Sequence, residues 1–83
     1  MKAVYFAWVR ERVGKEGEEI SPPASVVTVA DLMAWLGRRD EHYAYAFENP
    51  GLIRTALDQT HVKHDAPIGA AREIAFFPPM TGG

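Results

Sequence analysis

The architecture follows from one run, Glu73-Ile74-Ala75-Phe76-Phe77-Pro78-Pro79. Ile74 and Phe76 alternate with Ala75 and Phe77, and both sets are apolar, which predicts a strand in the interior of a sheet. Pro78 and Pro79 must end it, because neither can donate to a ladder. Lys2 to Val9, at the other end of the sequence, has the same character. Val4, Phe6 and Trp8 alternate with Ala3, Tyr5 and Ala7, predicting a second interior strand with both faces covered, and Trp8 reads as core. Side by side, these two strands bury the most surface. The connection between them passes through a helix, so they pair in parallel.

That helix is signalled at Thr28. Thr28 with Asp31 has capping-box spacing, and Val27 with Leu32 occupies the positions of a hydrophobic staple. Val29, Leu32, Met33 and Leu36 fall at i, i+3, i+4 and i+7, one apolar stripe over residues 29–37. Gly37 supplies the stop, and Arg38 and Arg39 suit the negative end of the helix dipole. Asp40 caps a shorter helix through Phe47, with Tyr43, Ala46 and Phe47 inward, and Asn49-Pro50-Gly51 ends it. Val9 to Val13 suits one helical turn closed by Gly14. Residues 18–21 form a weak strand stopped by Pro22 and Pro23. Leu52 to Asp58 is a strand with Ile53, Thr55 and Leu57 on one face, and His61 to His64 a short return strand. The expected order is strand, strand, helix, short helix, strand, short strand, strand. This is an α+β chain of the β-grasp kind, a mixed sheet of about five strands packed against one main helix. Residues 1–77 make the domain, and 78–83 an extended tail.

Composition narrows the chemistry. Eighty-three residues support one modest core and leave little for a deep cleft. With no cysteine there is no disulfide framework, Cys-based zinc site or side-chain thiol nucleophile. A net charge of −2 argues against nucleic acid as partner. The uncharged run Ile20 to Ala30 is too short to span a bilayer and is broken by two prolines. No secretory signal is legible, so the cytoplasm is the expected compartment. His61-x-x-His64 is the only metal-like spacing. Two histidines three apart fall on opposite faces of a strand, and they read as exposed imidazoles rather than ligands. Asp58, Asp65 and Glu73 are available as acids and bases, but no spacing brings them together. No metal and no cofactor bound by the chain is expected.

The last ten residues, Ile74 to Gly83, carry no charged side chain. Pro78 and Pro79 fix φ and carry the chain away from the sheet, Met80 and Thr81 follow, and Gly82-Gly83 lacks Cβ atoms, so a narrow channel admits its backbone. A terminal carboxylate there is the group that can enter a partner's active site. ATP converts a carboxylate to an acyl adenylate, which nucleophiles attack readily. Sulfur then gives a thiocarboxylate, and a lysine gives an amide. The plain alternative is a frayed glycine-rich terminus.

These residues carry a resemblance. Phe76-Phe77-Pro78-Pro79-Met80-Thr81-Gly82-Gly83 resembles the terminal signature of the small subunits of molybdopterin synthase, the MoaD-like sulfur carriers of ubiquitin-like fold. Phe6 to Gly14 resembles that family's first strand and turn, and Thr28 to Leu36 its helix start. The resemblance is collinear over the whole chain. Two stretches depart from it, Arg54-Thr-Ala-Leu-Asp58 and Gly69-Ala-Ala-Arg-Glu-Ile74.

The resemblance implies a carrier whose Gly83 is adenylated with ATP by a ubiquitin-activating-like adenylyltransferase. A sulfur donor then converts it to a thiocarboxylate. It further implies insertion of the tail into a large synthase subunit, within a heterotetramer of two small and two large subunits. There sulfur passes to cyclic pyranopterin monophosphate in molybdenum cofactor synthesis. The chain itself would be non-catalytic. Gly83 carries the reacting carbonyl, Gly82 keeps the approach thin, and Phe77, Pro78, Pro79, Met80 and Thr81 meet the partner. Other expectations compatible with the tail are a carrier for a thiamine-type pathway, a ubiquitin-like modifier of lysines, and an interaction module whose tail is irrelevant.

Overall fold

The computed structural model describes residues 1–79. Five strands form one sheet in the order β2-β1-β5-β3-β4, where β1 is Lys2–Tyr5, β2 Gly17–Glu19, β3 Arg54–Leu57, β4 Thr60–Val62 and β5 Glu73–Phe77. β5 lies at the centre. It pairs in parallel with β1 (Ala3 opposite Ile74, Tyr5 opposite Phe76) and antiparallel with β3 (Thr55 opposite Phe76, Arg54 opposite Phe77). The expected parallel pairing of the two apolar strands is thus present, and the sheet is mixed.

Three helices, α1 (Ala7–Val13), α2 (Val29–Gly37) and α3 (Glu41–Ala46), cover one face. The stripe Val29, Leu32, Met33 and Leu36 is fully buried with Ala3, Tyr5, Ile53, Ile74 and Phe76 of the sheet. Each such side chain gains about 2 kcal/mol by leaving water. Phe76 stacks on Tyr5 (5.8 Å between centroids) and meets Phe47 edge-on at 5.1 Å. α2 starts where its capping box requires. Thr28 Oγ1 accepts from Asp31 N at 3.1 Å, and Asp31 Oδ2 accepts from Thr28 N and Val27 N. Asp40 caps α3 by accepting from His42 N and Tyr43 N.

Several expectations are corrected. The first strand stops at Tyr5 rather than Val9, and the helix begins at Ala7. Alternation of apolar residues continues past Tyr5, but Ala7 takes φ +52° and turns the chain out of the ladder. Trp8 is consequently a half-buried helical residue with the Arg12 guanidinium 4.6 Å from its ring centroid, not core. The outer face of β1 is open: Val4 is half-buried and Lys2 exposed. Val27 is 55% exposed and Val26 is buried instead, so no buried staple forms; Val27 O accepts from Ile68 N, which turns the side chain outward. Gly37 is the last helical residue, and Arg38 follows at φ −93° without a left-handed stop. Gly14 does close α1 in the left-handed region, φ +89°, which favours glycine.

Candidate functional site at the root of the tail

The tail leaves the sheet from the centre, at Phe77. The alternation of β5 determines what lies there. Ile74 and Phe76 point into the helices, so Ala75 and Phe77 face the open side. Register places Arg54 of β3 directly across from Phe77, and places Ala56 between Ala75 of β5 and His61 of β4. The His61 ring lies tilted against Phe77 with centroids 5.3 Å apart. On the other flank, Phe6 N donates to Phe76 O at 3.0 Å, extending the parallel ladder by one residue, while the Phe6 side chain is 46% exposed. Beside Arg54 lies a concavity of about 410 Å³ lined by Gly51, Arg54, Val62, Lys63 and His64. His64 Nε2 is fixed 2.8 Å from Ile53 O.

Of the site residues expected from sequence, Phe77, Pro78 and Pro79 are each half-buried at this root. Met80, Thr81, Gly82 and Gly83 lie outside the described residues. The structure adds Phe6, Arg54 and His61 as neighbours of the Phe77 root, none of which the sequence marks as such. Their parity was readable once Ile53, Thr55 and Leu57 were set inward, but the register that aligns them with Phe77 is a long-range property of the sheet.

Of the acids considered from sequence, Asp58 is used structurally. Asp58 Oδ1 accepts from Arg72 N (2.9 Å) and Glu73 N (3.1 Å), clamping the start of β5 at the end away from the tail. Among the described residues no group of three or more His, Asp or Glu side chains is gathered for a metal. His61 and His64 are occupied by Phe77 and by the Ile53 carbonyl respectively. The tightest polar cluster centres on Glu18 of β2. Its carboxylate accepts from Tyr43 Oη (2.6 Å), Tyr5 Oη (2.8 Å), Arg39 Nη1 (3.1 Å) and Lys15 Nζ (3.2 Å). Burial by itself raises this carboxyl, but the four hydrogen bonds outweigh it and bring the pKa down to about 2. Burial and the bond to Glu18 hold the Tyr5 phenol well above its ordinary value. Arg39 also lies over the Trp35 and Tyr43 rings. All four side chains converge on the one carboxylate, so the cluster stitches the β2 edge to the helices. What the tail root offers is a surface: an apolar centre, a cationic flank and an uncharged exit.

Residues 3–83 match the model of the ThiS family. The molybdopterin synthase sulfur carrier subunit of Escherichia coli is 39% identical over 83 residues, covering 100% of this chain and 99% of that protein. The molybdopterin synthase sulfur carrier subunit of Haemophilus influenzae is 29% identical over the same span. Among solved structures, that of SAMP1 from Haloferax volcanii superposes with a TM-score of 0.70 at 24% identity, covering 100% of this chain and 98% of that one.

Proposed function

We propose that this chain, which belongs to the ThiS family and is MoaD-like, serves as the sulfur carrier subunit of a molybdopterin synthase. The observation that carries the reading is the full-length collinear match to a sulfur carrier subunit at 39% identity. The chemistry resides in the backbone. The Gly83 carboxylate attacks the α-phosphorus of ATP in the activating enzyme, and pyrophosphate leaves. Sulfide furnished by a sulfur donor attacks the acyl carbon of the adenylate and AMP leaves, giving the thiocarboxylate. The loaded tail then enters the large subunit, which supplies the acids, bases and phosphate contacts for transfer to cyclic pyranopterin monophosphate.

The residues of the tail divide the physical tasks in this scheme. Pro78 and Pro79 restrict the lead-in, which lowers the entropy lost on insertion. Gly82 keeps the approach thin, and Phe77 with Met80 supplies apolar contact. Residues 78–83 act as a tail on the 1–77 domain, in a cytoplasmic complex of two small and two large subunits. The ThiS match and the modifier-like fold leave carriers of other pathways and lysine conjugation as competing uses of the same end. The Phe-Pro-Pro lead-in favours molybdopterin synthesis.

Intact-mass measurement tests the reading. Incubation with activating enzyme, ATP and sulfide should replace one C-terminal oxygen by sulfur, and deletion of Gly83 should abolish loading while the fold persists. Loading of the Gly83-deleted chain to the same extent would overturn the tail mechanism. Conjugates of higher mass in cells would favour the modifier.

A further inference from the structure

We propose that the root of the tail is an acid-seeking docking surface: Arg54, across from Phe77, and Lys63, beside Arg54, seat a carboxylate-bearing surface on the large subunit as the tail enters it, with His61 against the Phe77 ring. This deepens the sulfur-carrier reading and rests on it.

The distribution of charge points there. Among the described residues, four cations away from the tail have carboxylate partners, Arg10 with Glu16, Arg12 with Glu48, and Lys15 and Arg39 with Glu18, while Lys2, Arg38 and Arg72 have none within ion-pair distance. On the open face of the sheet, the end remote from the tail is also mixed in sign, with Lys2 in register between Glu19 and Glu73. At the end beside the tail, Glu16 stands on the β2 side and is paired with Arg10, whereas on the β3–β4 side the cations meet no carboxylate among the described residues. Arg54 sits across from Phe77, His61 lies on its ring, and Lys63 follows the last residue of β4 and lines the concavity next to Arg54. All three side chains are exposed. Neither Arg54 nor Lys63 meets a carboxylate within ion-pair distance among the described residues, and Asp65, nearest to Lys63 in sequence, pairs with neither. A chain of net charge −2 thus sets two unpaired cations, Arg54 and Lys63, side by side where its tail departs.

The surface inside that rim is apolar. Phe77, Ala75 and Val4 line the open face and Phe6 flanks it, the pattern of an interface centre with a charged edge. Rim charges act chiefly on encounter rate and orientation rather than on final contact energy. For a tail that must thread a narrow channel, this is the useful effect, because acids around the channel mouth would turn the carrier root-first.

Binding of the intact chain to the purified large subunit of the same organism, followed by calorimetry and stopped-flow at low and high salt, tests this. The double variant Arg54→Glu with Lys63→Glu should lose about tenfold or more in affinity at low salt, mostly through slower association, and the deficit should shrink as salt screens the rim. Lys2→Glu with Arg72→Glu, at the far end, should stay within about twofold. The neutral pair Arg54→Gln with Lys63→Gln gives the same ordering should reversal impair folding, with circular dichroism as the check. Equal losses from both ends, or unchanged salt dependence in the near-end variant, overturn the docking surface while leaving the carrier reading intact. Failure of the unaltered chain to bind the large subunit overturns both. Capture by anionic vesicles or RNA through Arg54 and Lys63, in place of the large subunit, overturns the proposal as well.

Discussion

Two sets of alternate residues on β5 meet opposite fates. Ile74 and Phe76 are wholly buried, Phe76 between Tyr5 and Phe47. Ala75 and Phe77, one residue away in each case, stay half-buried on a face that no helix covers. The strand period of two allows one short segment to serve both as the centre of the core and as the root of the tail. It also allows the two duties to be separated by mutation. A partner can strip the outer face of water without disturbing the inner one.

The largest effect is expected at Phe76. Phe76→Ala empties a site walled by two aromatic rings and should cost about 3–5 kcal/mol, read as a lower urea midpoint. Phe77→Ala should cost less than about 1 kcal/mol of stability, yet reduce affinity for the large subunit about tenfold by removing apolar contact area. Comparable loss of stability from both variants would break the distinction between the faces. Unchanged affinity in a folded Phe77→Ala protein would remove Phe77 from the interface.

The next contrast sets the Glu18 stitch against the rim of the tail root. Both are rich in charge, but one is closed on itself and the other is open. Glu18→Gln removes the charge and turns one of the two acceptor oxygens into a donor, so either the Tyr5–Tyr43 pair or the Arg39–Lys15 pair loses its acceptor, and should cost about 2 kcal/mol. Its pH signature has a definite sign. The folded carboxyl titrates at about 2 against an ordinary value of 4.5, so the contribution of Glu18 is complete above about pH 4.5 and is lost as pH falls toward 2. Denaturation midpoints of Glu18→Gln should therefore fall less steeply over that window. Parallel acid profiles for both proteins would show that Glu18 is not the group that titrates. Neutralising Arg54 should leave stability within about 0.5 kcal/mol, as expected of an exposed cation with no carboxylate partner among the described residues.

What sequence could and could not reveal follows the same division. The helix at 29–37, its Thr28–Asp31 cap and the parallel pairing of the first and last strands were legible, because each depends on periodicity or on residues a few positions apart. The end of the first strand was not. Phe6 and Trp8 keep the alternation of a strand, and only the left-handed backbone at Ala7 ends it, a conformation that alanine does not advertise. The tail residues Pro78 and Pro79 stood out as composition. Their neighbours Arg54 and His61 did not, because Phe77 is brought to Arg54 by the β3–β5 register, set by packing between segments far apart in sequence, and His61 reaches it only through the β3–β4 hairpin beside that pairing.

The smallest expected change concerns Ala7. A non-glycine residue at φ +52° costs about 1 kcal/mol in backbone strain, and glycine removes it. Glycine also adds unfolded-chain entropy of about 0.5–1 kcal/mol, so Ala7→Gly should leave stability almost unchanged. Its value lies in where the strain sits. Ala7 joins Phe6, exposed beside the tail, to α1, whose Val9 and Val13 are buried in the core. If the turn holds Phe6 rigidly for a partner, loosening it should lower affinity a few-fold at constant stability, the signature of lost preorganisation. A more stable protein with unaltered affinity would make the strain an accident of chain reversal and would shift the apolar centre of the docking face onto Phe77 alone.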